Sequence, residues 1–316
     1  MILALAGGVG GAKLAHGLCR ILNPSELVIA VNTGDDFVHL DYFICPDLDS
    51  VLYKLAGVND TERGWGIRDE TWHFMESLKK IGGENWFHIG DKDLATHIER
   101  TRRLTEGQTL SEVTLALCQQ HNVVHPIVPM TDHRVGTIVD TEEGDFFFQD
   151  YFVRLRCKPV FTGVHYKGLE DAKPAPLFSD ALRRTDLKAI VLCPSNPFLS
   201  ISPILNVPGV TEAINQTKVP IIAISPIVGG HAVKGPAAKM MAELSLPVSP
   251  LGIAQHYNKL INGLIIDRKD MQLADKIASN GIDVHVTNTI MNSAQTESNL
   301  AQETLKFAMS LSRKEI

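Results

Sequence analysis

The stretch ILALAGGVGGAKLAHGL at residues 2–18 determines the predicted fold of this 316-residue chain. Residues 2–6 form a short, continuously apolar run, which is typical of a central parallel strand covered on both faces. Four glycines in five residues follow, and apolar residues between Ala12 and Leu22 then recur at helical spacing. A second apolar run at 27–31 completes a strand, helix, strand unit, which is the building block of a doubly wound sheet.

The same alternation returns in the second half of the chain, and a helix-rich segment lies between the two parts. Further strands are predicted at 123–130, 189–193, 219–224, 264–267 and 284–287, and a β-hairpin at 135–140 and 145–153. Between about residues 48 and 120 helical spacing dominates, at 50–55, 70–81, 93–104 and 110–119. We therefore predict an α/β fold with a doubly wound, mostly parallel Rossmann-like sheet. Residues 1–47 and 121–316 would form this nucleotide-binding core, and residues 48–120 a small helical insertion.

Composition narrows the class of protein further. With 44% hydrophobic and 21% charged residues, the chain can bury a large core and is not of the disordered class. A net charge of -6 argues against a nucleic-acid partner, which would favour a basic face. The five cysteines form no C-x-x-C pair, the N-terminus lacks the features of a signal peptide, and no run of 18 apolar residues occurs. We therefore expect a cytoplasmic protein without a membrane partner.

The glycine-rich loop after the first strand contains Gly7, Gly8, Gly10 and Gly11, and Lys13 follows it. Such a loop at a helix N-terminus lets backbone amides approach a phosphate, and the lysine adds a positive charge. The spacing is not the dinucleotide fingerprint, because Lys13 stands where its last glycine belongs, and it is not a Walker loop. The structural alternative is a tight strand-to-helix turn that holds no ligand.

Two acidic stretches are predicted to meet at the carboxyl edge of the sheet. Asp35 and Asp36 end the second strand, while Asp47 and Asp49 open the first inserted helix. Carboxylates about 4 Å apart repel each other by about 4 kcal/mol at a surface-like dielectric. A hard cation such as Mg²⁺ removes this penalty by binding carboxylate and phosphate oxygens together. These four aspartates are therefore the candidate metal ligands, although Asp47 or Asp49 could serve only as a helix N-cap.

Three further segments are candidates for ligand contacts. Trp65 lies among glycines and arginines, where its ring could stack on a flat ligand or pack beneath the insertion. Lys92 belongs to a charged helix start that spacing alone would assign to solvent. Ser195 and Asn196 follow a buried strand and can hydrogen-bond a base or a ribose, or simply form a turn. No nucleophile motif indicates covalent catalysis.

Together these segments resemble the 2-phospho-L-lactate transferase (CofD) family, including its bacterial FbiA branch. The resemblance spans residues 2 to at least 290 and rests on seven motifs in order. They are GGVGGAK at 7–13, VNTGDD at 31–36, CPDLDS at 45–50, GWGIRDETW at 64–72, GDKDLATH at 90–97, PSNP at 194–197 and SPIVGG at 225–230.

The resemblance implies a step in coenzyme F-420 biosynthesis. This family transfers a phospholactyl-type group from a guanosine-diphosphate adduct to the 5′-hydroxyl of the deazaflavin Fo, releasing GMP with the help of Mg²⁺. By this resemblance the glycine loop, Lys13, Ser195 and Asn196 would hold the guanine nucleotide. By the same resemblance Asp49 would be an Fo-side or metal-side residue and Lys92 would contact Fo, and Trp65 or Trp72 could stack on the Fo ring. The chemistry of transfer at a phosphate makes Asp36 and Asp49 the candidate catalytic carboxylates, with Asp36 as the candidate proton acceptor.

Several alternatives stay open at this point. The donor could carry phospholactate, phosphoenolpyruvate or phosphoglycerate, and the family often forms homodimers, which no surface seam in the sequence indicates. A non-catalytic regulator that binds a nucleotide sugar, as in YvcK-like proteins with a similar glycine loop, is the main rival function. A nicotinamide oxidoreductase is disfavoured by the broken fingerprint at Lys13.

Overall fold

A parallel sheet of seven strands forms the centre of the molecule. The computed structural model describes residues 1–312. In chain order the strands are β1 (Ile2–Ala6), β2 (Leu27–Val31), β3 (Phe37–His39), β4 (Tyr42–Ile44), β5 (Ile127–Pro129), β6 (Gly136–Thr141), β7 (Gly144–Phe147), β8 (Phe161–Lys167), β9 (Ala189–Leu192), β10 (Ile221–Ile224), β11 (Ile227–Val228), β12 (His231–Ala232), β13 (Gly263–Asp267) and β14 (Asp283–Thr287). The central sheet has the order β14-β13-β10-β9-β1-β2-β5, and every neighbouring pair in it is parallel.

Helices cover both faces of this sheet. They are α1 (Gly8–Cys19), α2 (Pro46–Leu55), α3 (His73–Lys80), α4 (Asp91–Thr105), α5 (Leu110–Gln120), α6 (Pro176–Arg183), α7 (Ser202–Asn206), α8 (Val210–Gln216), α9 (Ala237–Glu243), α10 (Pro250–His256), α11 (Ala274–Ala278) and α12 (Ala294–Ser312). Within the described residues, no helix is both long and apolar enough to cross a membrane.

Strand β1 shows why its sequence is apolar throughout. Leu3 and Leu5 pack into the core that contains α6, α8 and α10, while Ile2, Ala4 and Ala6 pack into the core that contains α1, α2, α5 and α12. Successive side chains of a strand point to opposite faces, so a strand buried on both faces needs apolar residues at every position. The predicted doubly wound, Rossmann-like α/β fold is confirmed.

The strand order reverses between β1 and β9. From β1 the chain moves outward through β2 and β5, and it later returns to the other side of β1 and moves outward through β9, β10, β13 and β14. In open α/β sheets, ligands bind in the crevice that forms where the order reverses, beyond the carboxyl ends of the strands. The loops after β1 and β9 begin at Gly7 and Cys193, so the predicted glycine loop and Ser195 lie at this switch point.

The helix-rich segment is divided between two cores. Helices α2 and α5 share the core on one face of the central sheet. A separate small cluster of Ile44, Met75, Ile89 and Leu94 joins α3 and α4 to the hairpin of β3 and β4. The boundaries of the insertion at residues 48 and 120 stay a prediction.

A second, antiparallel sheet in the order β7-β6-β8 packs beside the core. The predicted hairpin is present, but its second strand ends at Phe147 and is followed by a π-helical turn at Asp150–Arg154. The third strand, β8, was not predicted. This sheet contacts the acidic loop after β2, because the Thr137 amide donates to the Gly34 carbonyl at 2.7 Å.

Helix α1 begins at Gly8, four residues before the predicted start at Ala12, so three glycines lie in its first turn. A Cβ built at Gly10 would lie 2.1 Å from the Pro194 carbonyl oxygen. We expect Gly10→Ala to lower the free energy of unfolding, measured in urea, by about 1–3 kcal/mol, the usual cost of overpacking.

The control for this prediction is Gly136→Ala, because the nearest atom to its added Cβ is the edge of the Phe147 ring at 3.1 Å. That ring can move, so the change in stability should stay below about 1 kcal/mol. Equal effects of the two substitutions would contradict the argument from close packing.

Candidate active site

Asp47, in the first turn of α2, connects this helix to the start of α1 and to the loop after β2 at the carboxyl edge of the central sheet. Its Oδ1 accepts a hydrogen bond from the Gly8 amide at 2.7 Å, and its Oδ2 accepts one from Asn32 Nδ2 at 2.9 Å. Burial raises the pKa of Asp47 to about 6, although the hydrogen bonds from Asn32 and Gly8 act in the opposite direction. A carboxylate at the N-terminus of α1 is favoured by the helix dipole. The position where a phosphate was predicted to approach this helix is thus already occupied by an internal anion.

Asp35 and Asp36 carry carboxylate oxygens with no hydrogen-bond partner among the described residues. These atoms are Asp35 Oδ1 and both oxygens of Asp36, and all three are buried. Burial raises the pKa of Asp35 well above its usual range, and the neighbouring Asp47 raises it further. The pKa of Asp36 is also raised by burial, although the Cys45 thiol and Arg100 lower it. Buried polar groups are nearly always satisfied, so these oxygens have free capacity to bind a proton or a cation.

The donor set fits Mg²⁺. Ionised carboxylates are hard oxygen acceptors without a proton to donate, which is what this cation binds. The effects of Asp47 on Asp35, and of Asp47 and Asp49 on Asp36, place all four predicted aspartates in one electrostatic cluster. The structure therefore brings the two acidic stretches into one charge cluster. Among the described residues, however, the group with metal-ligand spacing that includes one of these aspartates is Asp49 with Asp93 and His97. The role of the four aspartates as metal ligands stays a prediction.

Asp49 differs from the other three aspartates because it is already paired. Arg100 Nη1 donates to Asp49 Oδ2 at 3.1 Å, and Nη2 forms a second, shorter contact with Oδ1. The Arg100 side chain is 2% exposed, so this ion pair is shielded from water. His97 Nδ1 lies 3.7 Å from Asp49, and His97 Nε2 lies 3.4 Å from Asp93. Asp49 thus has a cationic partner, whereas no ion pair is formed by Asp35, Asp36 or Asp47 among the described residues.

The charge cluster leads to a prediction about pH. A carboxyl group whose pKa is raised in the folded state destabilises the fold as pH rises from its unfolded pKa towards its folded pKa. For Asp47 that window runs from its ordinary value of 3.8 to about 6. Protons and metal compete for the same oxygens, so Mg²⁺ should raise the melting temperature more at about pH 7.5 than at about pH 5. Thermal unfolding with and without Mg²⁺ at both pH values tests this, and an equal shift at both would contradict it.

Most of the predicted nucleotide contacts are engaged with the protein itself. The Ser195 hydroxyl donates to the Gly7 carbonyl at 2.7 Å and accepts from the Gly7 amide at 3.1 Å. Asn196 Oδ1 accepts from the amides of Phe198 and Leu199, and so caps the π-helical turn that follows. A Cβ at Gly11 would lie 2.7 Å from Ser195 Oγ. These residues join the loop after β1 to the loop after β9. For Ser195 and Asn196 this supports the alternative that they form a structural turn instead of a nucleotide contact.

A cleft of about 350 Å³ opens beside the acidic cluster. It is lined by residues from α1, α2, the loop at 59–66, the start of α12 and Lys234, and we call it the lysine cleft. Lys13 and Trp65 both line it, and the Trp65 side chain is 43% exposed. Lys92 lies outside the lining, is exposed, and donates through Nζ to the Arg68 carbonyl at 3.1 Å. Two of the predicted ligand contacts, Lys13 and Trp65, therefore line the same cleft.

Two residues of the site were missed by the sequence analysis. Asn32 is fully buried and donates to both Asp47 and the Leu199 carbonyl, while its Oδ1 accepts from the Gly34 amide. Arg100 lies in the middle of α4, where helical spacing gives it no special status. Asn32 directly follows β2 and lies inside the motif VNTGDD, so the sequence could have indicated that it belongs to the site. The residues around Arg100 contain no such indication.

The fold and the site together define a Rossmann-like α/β protein that carries a cluster of buried carboxylates at the switch point, next to a cleft. The model of the 2-phospho-L-lactate transferase CofD family matches residues 2–304, and the chain belongs to this family. It is therefore a transferase of a family related to coenzyme F-420 biosynthesis.

Individual relatives agree with the family match. The chain is 39% identical to the phosphoenolpyruvate transferase of Streptomyces coelicolor, over 97% of this chain and 98% of that protein. It is 35% identical to the 2-phospho-L-lactate transferase of Methanococcoides burtonii, over 96% of this chain and 97% of that protein. Among solved structures, a member of the UPF0052 family from Bacillus halodurans aligns with a TM-score of 0.60 at 15% identity, covering 96% of this chain and 98% of that one. That likeness supports the fold alone.

Proposed function

We propose that the protein transfers a phospholactyl-type group from its guanosine-diphosphate adduct to the 5′-hydroxyl of the deazaflavin Fo, releasing GMP. The observation that carries this proposal is the family match, which extends over residues 2–304 with relatives at 35–39% identity along nearly their whole length. The cluster of unpartnered carboxylate oxygens beside a cleft supports it, because transfer at a phosphate needs positioning and neutralisation of charge more than covalent catalysis.

In this proposal Mg²⁺ is held by Asp35, Asp36 and Asp47. When bound, it supplies positive charge to the phosphate oxygens on which negative charge accumulates. Asp49 is assigned a supporting part, because its carboxylate is held by Arg100. This ion pair balances part of the negative charge next to Asp36, as the lowering of the Asp36 pKa by Arg100 indicates.

Asp36 is our candidate for the group that accepts the proton of the attacking hydroxyl. Its pKa is raised by burial, and a carboxylate with a raised pKa is a better proton acceptor than one in water. As the new P–O bond to the Fo oxygen forms, the P–O bond to the GMP phosphate breaks, and the electron pair leaves with GMP. The hydroxyl proton would pass to an oxygen of Asp36.

Trp65 is our candidate for stacking on the deazaflavin ring. The Arg63 guanidinium lies 4.8 Å from the centre of the Trp72 ring and 5.6 Å from that of Trp65, and the two indoles meet edge to face. These contacts hold Trp65 against the loop while its side chain stays partly exposed to the cleft. An aromatic ring restrained in this way can stack on a flat ligand at a low entropic cost. Lys92 is retained as a proposed Fo contact from the family motif.

Incubation with Fo, Mg²⁺ and each of the three guanosine adducts, followed by mass spectrometry, tests the function. One adduct should yield a product heavier than Fo by its phospholactyl, phosphoenolpyruvyl or phosphoglyceryl group, together with an equal amount of GMP. Chelation of Mg²⁺ should stop the reaction. Binding of the nucleotides without any release of GMP in all three incubations would contradict the proposal and would favour the non-catalytic regulator. The two sets of relatives make the phosphoenolpyruvate and phospholactate adducts the first to be tried.

A further inference from the structure

The N-terminal ends of helices α3 and α4 are each capped by a carboxylate from outside the helix. The residues at the two N-cap positions, Trp72 for α3 and Gly90 for α4, form no side-chain cap hydrogen bond. Glu70, which precedes α3, accepts instead from the Lys92 amide at 2.8 Å and, through its other oxygen, from the Asp93 amide at 2.9 Å. The start of α4 is thus capped by a residue of the loop in front of α3.

The cap of α3 comes from the first residue of α4. Asp91 accepts hydrogen bonds from the amides of His73 and Phe74, both at 3.1 Å. The Thr71 hydroxyl donates to Asp91 Oδ2 at 2.6 Å, and the Asp91 amide donates to the Thr71 carbonyl at 3.0 Å. The first amides of a helix have no partner within the helix, and the helix dipole favours a carboxylate there. We call this exchange between Glu70 and Asp91 the reciprocal cap, because each helix start depends on the other.

Gly90 leaves the space that the Glu70 side chain needs. A Cβ built at Gly90 would lie 2.5 Å from both Cγ and Oε2 of Glu70. The φ of Gly90 is −73°, which any residue adopts, so glycine is needed here for the close approach and not for the backbone conformation. Burial raises the pKa of Glu70, although the amides of Lys92 and Asp93 lower it. The reciprocal cap is therefore packed as well as hydrogen-bonded.

The reciprocal cap joins two segments that carry proposed Fo contacts. Trp65, in the loop before α3, lines the lysine cleft and meets Trp72 edge to face. Lys92 lies in the first turn of α4. Further along the same helix, Arg100 holds Asp49 of the acidic cluster. The position of the Trp65 loop relative to Lys92 and to the acidic cluster is thus fixed by contacts between the two helix starts.

We infer that Glu70 and Asp91 are positioning residues for the acceptor substrate, because their exchange of caps holds Trp65 and Lys92 in a fixed arrangement around a flat ring ligand. Supporting contacts of this kind determine how precisely a binding site is preorganised. The oxygens of both carboxylates are engaged by backbone amides, so they act through other residues and not on the ligand. The inference rests on the proposed function, since it takes Fo as the ligand of Trp65 and Lys92.

Calorimetric titration of Fo into the protein without donor tests this inference. Glu70→Ala should weaken the binding of Fo by roughly tenfold, the ratio that corresponds to the loss of one helix cap. Gly90→Ala should have a similar effect without any change of charge, because its Cβ displaces the Glu70 side chain. In the double variant Glu70→Ala/Gly90→Ala there is no Glu70 side chain to displace, so it should bind Fo like Glu70→Ala alone.

Turnover kinetics supply a readout that a general loss of stability does not change. The KM for Fo should rise in the Glu70→Ala and Gly90→Ala variants, while kcat and the KM for the guanosine adduct should stay within about threefold of wild type. Glu112→Ala is the matched control, because Glu112 accepts from the Thr109 amide at 2.7 Å in the capping box of α5. This control should lower the melting temperature about as much as Glu70→Ala and leave the affinity for Fo unchanged.

Affinities for Fo within about twofold of wild type in both Glu70→Ala and Gly90→Ala would overturn the inference. An equal loss in Glu112→Ala would also overturn it, since the effect would then be general destabilisation. A loss in Glu70→Ala without one in Gly90→Ala would assign the effect to charge and would overturn it too. If the wild type transfers the group and the variants match it, only the positioning role fails. If the wild type neither binds Fo nor releases GMP, the proposed function fails and the inference fails with it.

Discussion

Asp36→Asn is expected to make the metal-free protein more stable while abolishing most of its activity. Both carboxylate oxygens of Asp36 are buried without partners, and a neutral amide costs less to bury than a carboxylate. Because the folded-state pKa of Asp36 is raised, wild-type stability falls as pH rises above the unfolded pKa, whereas the variant lacks this dependence. The gain in melting temperature should therefore grow as pH rises above the ordinary aspartate pKa of 3.8.

The loss of activity in the same variant should be large. Removal of a preorganised charged group from a site of this kind typically lowers kcat by about 100- to 1000-fold, and kcat/KM for Fo and the guanosine adduct should fall by a similar factor. Asp171→Asn is the control, since Asp171 is exposed and lies outside the acidic cluster. Unchanged turnover, or a lower melting temperature at alkaline pH, would contradict the role assigned to Asp36.

Arg100→Met is expected to be the most destabilising substitution at the site. It removes the countercharge of Asp49 and leaves that carboxylate buried, with the acidic side chain 7% exposed. Breaking a buried ion pair on one side costs about 3–5 kcal/mol. The methionine fills most of the space of the arginine stem, so the loss comes mainly from charge and not from a cavity. Denaturation in urea at neutral pH measures this effect.

The double variant Arg100→Met/Asp49→Leu separates charge from packing. With both charges removed, stability should return to within about 1 kcal/mol of wild type, as is common when buried ion pairs are replaced by apolar residues. Arg100→Lys should give an intermediate loss, because lysine lacks the forked geometry that contacts both oxygens of Asp49. If Arg100→Met alone lowered the free energy of unfolding by less than about 1 kcal/mol, the conclusion that this ion pair is shielded from water would be wrong.

The central sheet could be predicted from the sequence because its strands are apolar at every position. β1 and β2 have the predicted limits, and β9, β10, β13 and β14 lie within two residues of them. The start of α1 was misplaced because glycine has a low helix propensity, yet its first turn is held by the bond from the Gly8 amide to Asp47. β8 was missed because Phe161–Lys167 contains Gly163 and alternates only weakly, and it is stabilised by pairing with β6, a contact that is remote in sequence.

The site was predictable where it depends on the ends of strands. The carboxyl ends of parallel strands meet at one edge, so the convergence of Asp35, Asp36 and Asp47 followed from topology. The ion pair of Arg100 with Asp49 joins residues 51 positions apart on two helices, and no periodic pattern specifies such a contact. For the same reason the sequence did not show that Lys54 and Lys234 line the same cleft as Lys13.

The hydrogen bond from the Thr137 amide to the Gly34 carbonyl has a consequence for how the molecule tolerates change. Gly34 immediately precedes Asp35 and Asp36, and Thr137 belongs to β6, the middle strand of the antiparallel sheet. The antiparallel sheet is thus joined directly to the loop that carries both aspartates. β7 and β8, which pair with β6 on either side, therefore support the loop that carries two of the four clustered aspartates.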